Sequence, residues 1–438
     1  MRDIAIIGAG MTGLALAYEL GRQGRQVTVF EKETTIGGLA GSLPVNGFSI
    51  DKYYRHIFPS HDELLATIAD LGLNGRLIFK KAPMAYFSQG KIYPLNSALD
   101  LLRFKPLGLA DRVRVGLSAS AFLVKKEWQT FDRLSAQDYL LGKCRSRGFE
   151  IFWEPLLKNK FGDFSSCISA AWLHDRVLSR SRSGLSGASG KLGYLDGGFS
   201  WLFARLAEEI EKQGGQIITG CPVSTIEPID SGSGPFILNG DRAHRYDSCI
   251  VTLPIPSFIG LCPWLPGDYR GRLAGIDYAH SVCLVLRLKE PLSSFYWLNI
   301  GDASLPFAVV VEHTNWMDKK DYGGQHIVYL SRYVTSLTDE YWTAPDDVLV
   351  ATFCRSLKKI FPHFRESQIL GFHVCRDRYT QPIFKTGYSR CLPSVTTPVE
   401  NLFLVNTSQF YPHSRCLDTS FITAREFASR FSEMEKKT

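Results

Sequence analysis

An α/β fold with a second, mixed α+β unit inserted into it is what this 438-residue sequence predicts, on three observations. The apolar run Ile4 to Ile7 leads straight into Gly8-Ala9-Gly10-Met11-Thr12-Gly13 and then into a helical pattern of Leu14, Leu16, Ala17 and Leu20. Gly21 and Gly24 close that helix, a strand Val27-Thr28-Val29-Phe30 follows and ends at Glu31, and a glycine doublet, Gly37-Gly38, comes next. Far downstream, strand patterns dominate from Ser281 to Val334 without interleaved helices, as in an antiparallel sheet.

The order strand, glycines, helix, strand, acid is that of a Rossmann-type dinucleotide site. Gly8 permits the tight turn out of the strand, Gly10 admits a pyrophosphate to the backbone, and Gly13 lets the helix pack close. The helix start near Met11 aims its amides and positive dipole end at the phosphates. Glu31 ends the second strand where a ribose hydroxyl needs an acceptor. The doublet Gly37-Gly38 then favours FAD over a nicotinamide cofactor, because only FAD runs on past the pyrophosphate and needs a second close backbone approach.

Further along, Ser60-His61-Asp62-Glu63 reads as a capping box for a helix ending near Gly72. Residues 95–180 read as mostly helical, with Val113, Leu117, Ala121 and Val124 on one face. Ser179 to Gly193 reads as a Ser/Gly-rich mobile loop, and a strand at Leu402 to Val405 precedes a final helix. Asp418, Thr419 and Ser420 are N-cap residue types before that helix. The resulting division is a discontinuous FAD-binding domain of residues 1–75, 190–255 and 396–438. A substrate domain of residues 76–189 and 256–395 combines an antiparallel sheet with a helical part at 95–180.

The runs GAGMTGLALAYEL and VTVFEKETTIGGLAGS resemble the two-glycine-motif flavoproteins, the superfamily of protoporphyrinogen oxidases, phytoene desaturases and amine oxidases, with UDP-galactopyranose mutase as a relative. The similarity continues in Gly193 to Phe199, in Tyr246 to Pro254, and in the blocks YYRHIF, WEPLLKNKFG and FYPHSR shared with bacterial protoporphyrinogen-oxidase-like proteins. It departs from the pattern at Thr35 and Leu39, which stand where many amine oxidases have arginines, and at Arg415-Cys416. The resemblance implies FAD as cofactor and extends the binding set to Met11, Thr12, Lys32, Leu39, Ala40, Val223 and Asn406. It also implies that the helix start at Asp418, Thr419 and Ser420 abuts the flavin pyrimidine, where free amides would stabilise negative charge.

The run Tyr54-Arg55-His56 should pass the flavin, and these three are the catalytic candidates; His56 could tune the flavin, donate a hydrogen bond or move a proton. Lys160 and Arg176 are candidates for substrate binding, the latter with Arg180 four residues on offering two guanidinium forks to one anion. For each, packing or a solvated surface is the competing reading. Ten scattered cysteines and ten histidines show no metal-ligand spacing, so no metal is expected and reduced thiols are.

The composition, 45% hydrophobic and 21% charged, is that of a large-cored enzyme. No leader precedes the first strand and no 18-residue apolar run appears, so the expected location is cytoplasmic. The formal charge of +7 is uneven: residues 100–147 carry ten Lys or Arg against five acids. Arg112, Arg114, Lys125 and Lys126 bracket the apolar run Val115 to Val124, which suits peripheral attachment to an anionic membrane surface on its inner face. No reader motif accompanies the charge, which argues against nucleic acid. The expected activity is removal of a hydride from, or desaturation of, a hydrophobic or amphipathic small-molecule or lipid-linked substrate. Two alternatives stay open: a flavin-dependent mutase or isomerase of a nucleotide-sugar or lipid-linked sugar, and a flavin-binding protein without turnover. The oligomeric state is left open.

Overall fold

In the computed structural model, which describes residues 3–124, 127–182, 190–230 and 233–435, strand β1 (Asp3–Ile7) is buried from both sides. Its alternation feeds two cores. Ile4 and Ile6 face helix α1 (Met11–Arg22) and the terminal helix Leu417–Glu435, packing with Leu14, Ala17, Phe421, Ala424 and Phe427. Ala5 and Ile7 point the other way, to Ile226, Phe236 and Leu238 of a three-stranded sheet. Side chains alternate because the strand repeat is two, so five residues suffice to join both layers.

Around β1 lies a five-stranded parallel sheet in the spatial order Leu402–Leu404, Ser248–Val251, β1, β2 (Gln26–Phe30), Gln216–Ile218. Strands from widely separated parts of the chain thus meet in one layer. A seven-stranded sheet stands apart from it, ordered Ile369–Pro382, Tyr278–Leu288, His326–Val334, Val309–Glu312, Trp297–Ile300, Met84–Ser88, Lys91–Pro94. It is antiparallel except where Trp297–Ile300 runs parallel to Met84–Ser88. Val282, Leu284 and Leu286 face Phe353 and Leu357 of the helix Asp346–Ile360, while Cys283 and Val285 face the opposite core, shared with Tyr53 and Tyr329. That second face walls the candidate site.

Four readings need correction. The helix expected after Ser60 is α2 (Asp62–Asp70), but its N-cap is His61 and no side chain at that position caps it. Instead Asp418 Oδ1 accepts the Leu64 N–H at 2.8 Å, so the cap comes from the far end of the chain. The terminal helix starts at Leu417, which puts Asp418, Thr419 and Ser420 inside its first turn; the cap position is Cys416, whose Sγ accepts the Thr419 N–H at 3.4 Å.

In helix α3 (Leu109–Val124) the stripe of Val113, Leu117 and Val124 faces outward, at 44%, 62% and 82% exposure. The bundle takes Val115, Ser118 and Phe122 instead; the Ser118 hydroxyl can be buried because it donates to the Val115 carbonyl at 2.7 Å and accepts from Trp153 Nε1 at 3.1 Å. The region is helical as expected, with Ala136–Gly148, α4 (Glu154–Phe161) and α5 (Ala170–Arg182) following. Of the loop expected at 179–193, residues 179–182 belong to α5 and 191–193 to the strand Lys191–Leu195; residues 183–189, like Lys125 and Lys126, lie outside the described residues. Among the described residues no helix is long and apolar enough to cross a membrane, and no group of three or more metal-ligating side chains occurs. The ten cysteines are free.

Candidate active site

The first glycine turn is made by close backbone approach. Gly8 has φ +104°, and a Cβ on it would meet Thr252 Oγ1 at 2.8 Å and Leu253 Cδ2 at 2.9 Å. A Cβ on Gly13 would stand 1.9 Å from the Gly8 carbonyl oxygen, so only glycine lets α1 rest on the turn. Gly10 is different: it is the N-cap of α1 with ordinary extended dihedrals, and a Cβ there would meet no atom within 4 Å. Helix α1 has no side-chain cap and no acid in its first turn. An uncompensated dipole end therefore fronts the open space at Gly10, a cradle that fits a pyrophosphate.

The second doublet closes over this cradle. Gly37 donates its N–H to the Ala9 carbonyl at 2.8 Å, and a Cβ on Gly38 would lie 3.2 Å from Gly10 Cα. Leu39 and Ala40 continue it as the short turn Gly38–Ala40. Buried Glu31 accepts the Ala9 N–H on Oε2 at 2.8 Å and the Glu33 N–H on Oε1 at 3.0 Å. A carboxylate has about four lone-pair sites, so these bonds fix its orientation and leave capacity for a hydroxyl. The Cys221 N–H bonds to the Glu31 carbonyl at 2.9 Å, which brings the segment of half-buried Val223 beside the end of β2. Lys32 turns outward, paired with Glu33 at 3.3 Å and 71% exposed.

The C-terminal residues arrive at the same place. Thr12 Oγ1 donates to Ser420 Oγ at 3.3 Å, joining the two helix starts. Thr419 Oγ1 donates to the Ser414 carbonyl at 3.2 Å, and Asp418 points to α2, away from the glycines. Asn406 staples two strand exits: its Nδ2 donates to the Leu253 carbonyl at 2.7 Å and its Oδ1 accepts from Ser408 N–H and Oγ.

Beyond the doublet, Arg55 donates to the Leu39 carbonyl and links the glycine turns to a deeper chamber. Tyr54, Arg55, His56 and Lys160 lie deep in the molecule yet keep partial exposure, as residues lining an internal space do. Tyr54 meets Trp297 edge to face at 4.9 Å and Tyr329 at 6.1 Å. His56 packs against Phe58 at 4.9 Å and Trp297 at 5.9 Å, with Nδ1 3.4 Å from the Tyr296 hydroxyl. Burial, with nearby His61, Arg180 and Arg176, pushes His56 down to about 3, so its ring is neutral. Burial also raises the Tyr54 phenol well above its usual range and lowers Arg55 to about 10, the latter helped by Arg415.

Lys160 Nζ lies 5.2 Å from the Tyr333 ring centre and 5.3 Å from that of Trp172, while the Arg176 guanidinium is 5.7 Å from the same Trp172 ring. Burial, then Arg176, Arg415 and Arg180, hold the Lys160 amine well below its ordinary value. Helices α4 and α5 and the segment before the terminal helix thus deliver Lys160, Arg176 and Arg415 to one chamber with Tyr54, Arg55 and His56. Arg415, Tyr296, Trp297 and Tyr333 were not singled out from sequence as site residues. Only Arg415 left a trace there, as a departure from the superfamily pattern.

Comparison with known proteins agrees with this architecture. Residues 11–430 match the model of the family described as flavin containing amine oxidoreductase. The carotenoid phi-ring synthase of Streptomyces griseus is 23% identical over 431 residues, 90% of this chain and 80% of that protein. A 4,4'-diapophytoene desaturase (4,4'-diaponeurosporene-forming) of Staphylococcus aureus (strain bovine RF122 / ET3-1) is 52% identical over 48 residues, 11% of this chain and only 10% of that protein's length. The fold is shared with reduced UDP-galactopyranose mutase, at a TM-score of 0.78 and 17% identity, covering 99% of this chain and 96% of that one. With nearly its whole length matched, the chain belongs to the flavin containing amine oxidoreductase family and is an FAD-dependent oxidoreductase.

Proposed function

We propose that the protein removes a hydride from a hydrophobic or amphipathic substrate held in the chamber between the glycine turns and the seven-stranded sheet. The observation that carries this reading is an aromatic wall of Tyr54, His56 and Trp297, reached from the doublet through the Arg55 to Leu39 bond. In this reading the parallel-sheet unit is the cofactor domain and the seven-stranded sheet with the helical segment is the substrate domain. Gly8, Gly10, Met11, Thr12, Gly13, Glu31, Gly37, Gly38, Leu39, Ala40 and Val223 hold the cofactor, with the terminal-helix residues Thr419 and Ser420. Lys32, Asn406 and Asp418 contribute through their backbone or through the turns they fix. When bound, FAD supplies a two-electron acceptor.

The chain's own groups then position and shield. Neutral His56 offers one ring N–H and one acceptor nitrogen, which suits a hydrogen bond to substrate or cofactor better than proton uptake near pH 7. Tyr54 stays protonated and presents a neutral edge, and the aromatic wall excludes water from the reacting bond. Lys160 and Arg176 contact the substrate. Turnover of a converted substrate should require an external electron acceptor. Conversion after a single reductive priming, without an acceptor, would support the mutase alternative, and no conversion in either format would support a binding protein.

We also propose that the outer face of α3 rests on an anionic membrane surface. Exposed Leu109, Val113, Leu117 and Val124 lie beside exposed Arg103 and Lys105, an apolar stripe with basic flanks that suits interfacial attachment.

A further inference from the structure

Five basic side chains surround the chamber: Arg55, Lys160, Arg176, Arg180 and Arg415. Among the described residues none of them makes an ion pair, whereas other basic side chains do, such as Arg425 with Glu63 and Glu19, or Lys385 with Asp277. Asp51 acts on Arg55, but its Oδ2 is already bonded by the Tyr194 hydroxyl at 2.6 Å. Grouping cations in a low-dielectric space without counter-ions is unfavourable unless something negative enters it. Arg176 and Arg180, one turn apart on α5, can present two planar forks to a single anion.

The aromatic faces tell the same story. A cationic substrate would be held by ring faces, but here the Trp172 face is already approached by Lys160 and Arg176, and the Tyr333 face by Lys160. An ammonium group would enter a site already crowded with like charge. We infer that the chamber takes a substrate whose apolar body carries an oxyanion, a carboxylate or a phosphate, bound by Lys160, Arg176 and Arg180, and that it rejects amines. This rests on the chamber being the substrate site of the proposed oxidoreductase.

The test titrates the FAD-loaded protein by calorimetry with benzoate, with inorganic phosphate and with benzylamine. Saturable binding of benzoate or phosphate is expected, with benzylamine binding more weakly than either. Tighter benzoate assigns a carboxylate, and tighter phosphate assigns a phosphate. Lys160→Met and Arg176→Gln should each weaken the anion by about tenfold or more, and Lys160→Arg should restore it to within about threefold. If a buried variant fails to fold, Arg180→Gln, at the exposed end of the cluster, gives the same reading. Binding of neither anion, tighter binding of benzylamine, or anion affinity unchanged in all three loss variants would overturn the inference. A failure of the flavin reading is separate and visible beforehand as protein without bound FAD, and the calorimetry still reports on the cluster.

Discussion

Two alanine substitutions three residues apart should separate folding from cofactor binding. At Gly13 a Cβ would be 1.9 Å from the Gly8 carbonyl oxygen, more than 1 Å inside any tolerated contact, and the atom it meets is backbone. Helix α1 would have to lift off β1 and disturb the layer that packs Leu14 and Ala17 against Ile4 and Ile6. Overpacking of this kind costs about 1–3 kcal/mol where side chains can yield, and here nothing flexible is in the way, so about 3 kcal/mol or more is expected. At Gly10 the same methyl meets nothing within 4 Å and the dihedrals, φ −71° and ψ 177°, suit any residue. The folding cost is that of replacing a helix N-cap glycine by alanine, about 1 kcal/mol or less. The methyl would instead fill the pyrophosphate cradle. Urea unfolding of the apo-proteins, together with FAD-to-protein ratios from absorbance, should show Gly10→Ala folded but depleted of FAD, and Gly13→Ala destabilised. A Gly10→Ala protein that retains full FAD would refute the assignment of the cradle.

Other substitutions address single contacts. Asp418→Ala uncaps α2 at Leu64 and should cost about 1 kcal/mol in urea unfolding; an unchanged midpoint would remove its capping role. Asp51, buried and raised to about 6, keeps its proton longer in the folded than in the unfolded chain. Stability therefore falls as pH rises from about 4 to about 6 and levels off above, by roughly 3 kcal/mol in all, and Asp51→Asn should flatten that slope. His56→Gln should lower turnover while leaving the pH profile between about 5 and 8 unshifted, because the wild-type ring is neutral throughout; loss of a titration in that window would contradict this. Sedimentation with anionic vesicles should pull down the protein at low salt, and Leu109→Asp with Leu117→Asp should abolish it; binding indifferent to lipid charge would dismiss the surface.

The glycine turns were legible because their constraint is local: Gly8, Gly10 and Gly13 act within one turn of backbone, and sequence spacing alone fixes where each must be. The same holds for Glu31 at the end of β2. Legibility ended where partners came from elsewhere in the chain. Ser60 looks like a cap for α2, but the Leu64 amide is taken by Asp418, 354 residues further along the chain from Leu64. The stripe of Val113, Leu117 and Val124 has helical spacing, yet spacing does not say which face meets the bundle, and Ser118 can go inside because the Val115 carbonyl and Trp153 supply its partners. Lys160 stands out in the sequence by itself, and Arg176 only with Arg180 one helical turn on. Their meeting with Arg415 and Arg55 depends on how α4, α5 and the C-terminal segment pack, which no local pattern encodes.

The most direct test of the account follows the flavin absorbance anaerobically while FAD-loaded protein is mixed with extracts of its own cells, separated by charge into acidic, neutral and basic fractions. Hydride removal from an oxyanion-bearing amphipathic substrate predicts that the acidic, organic-soluble fraction bleaches the flavin and that adding an electron acceptor restores it. Bleaching by the basic fraction alone, or by none while the pre-reduced protein converts a compound without change in oxidation state, would contradict it.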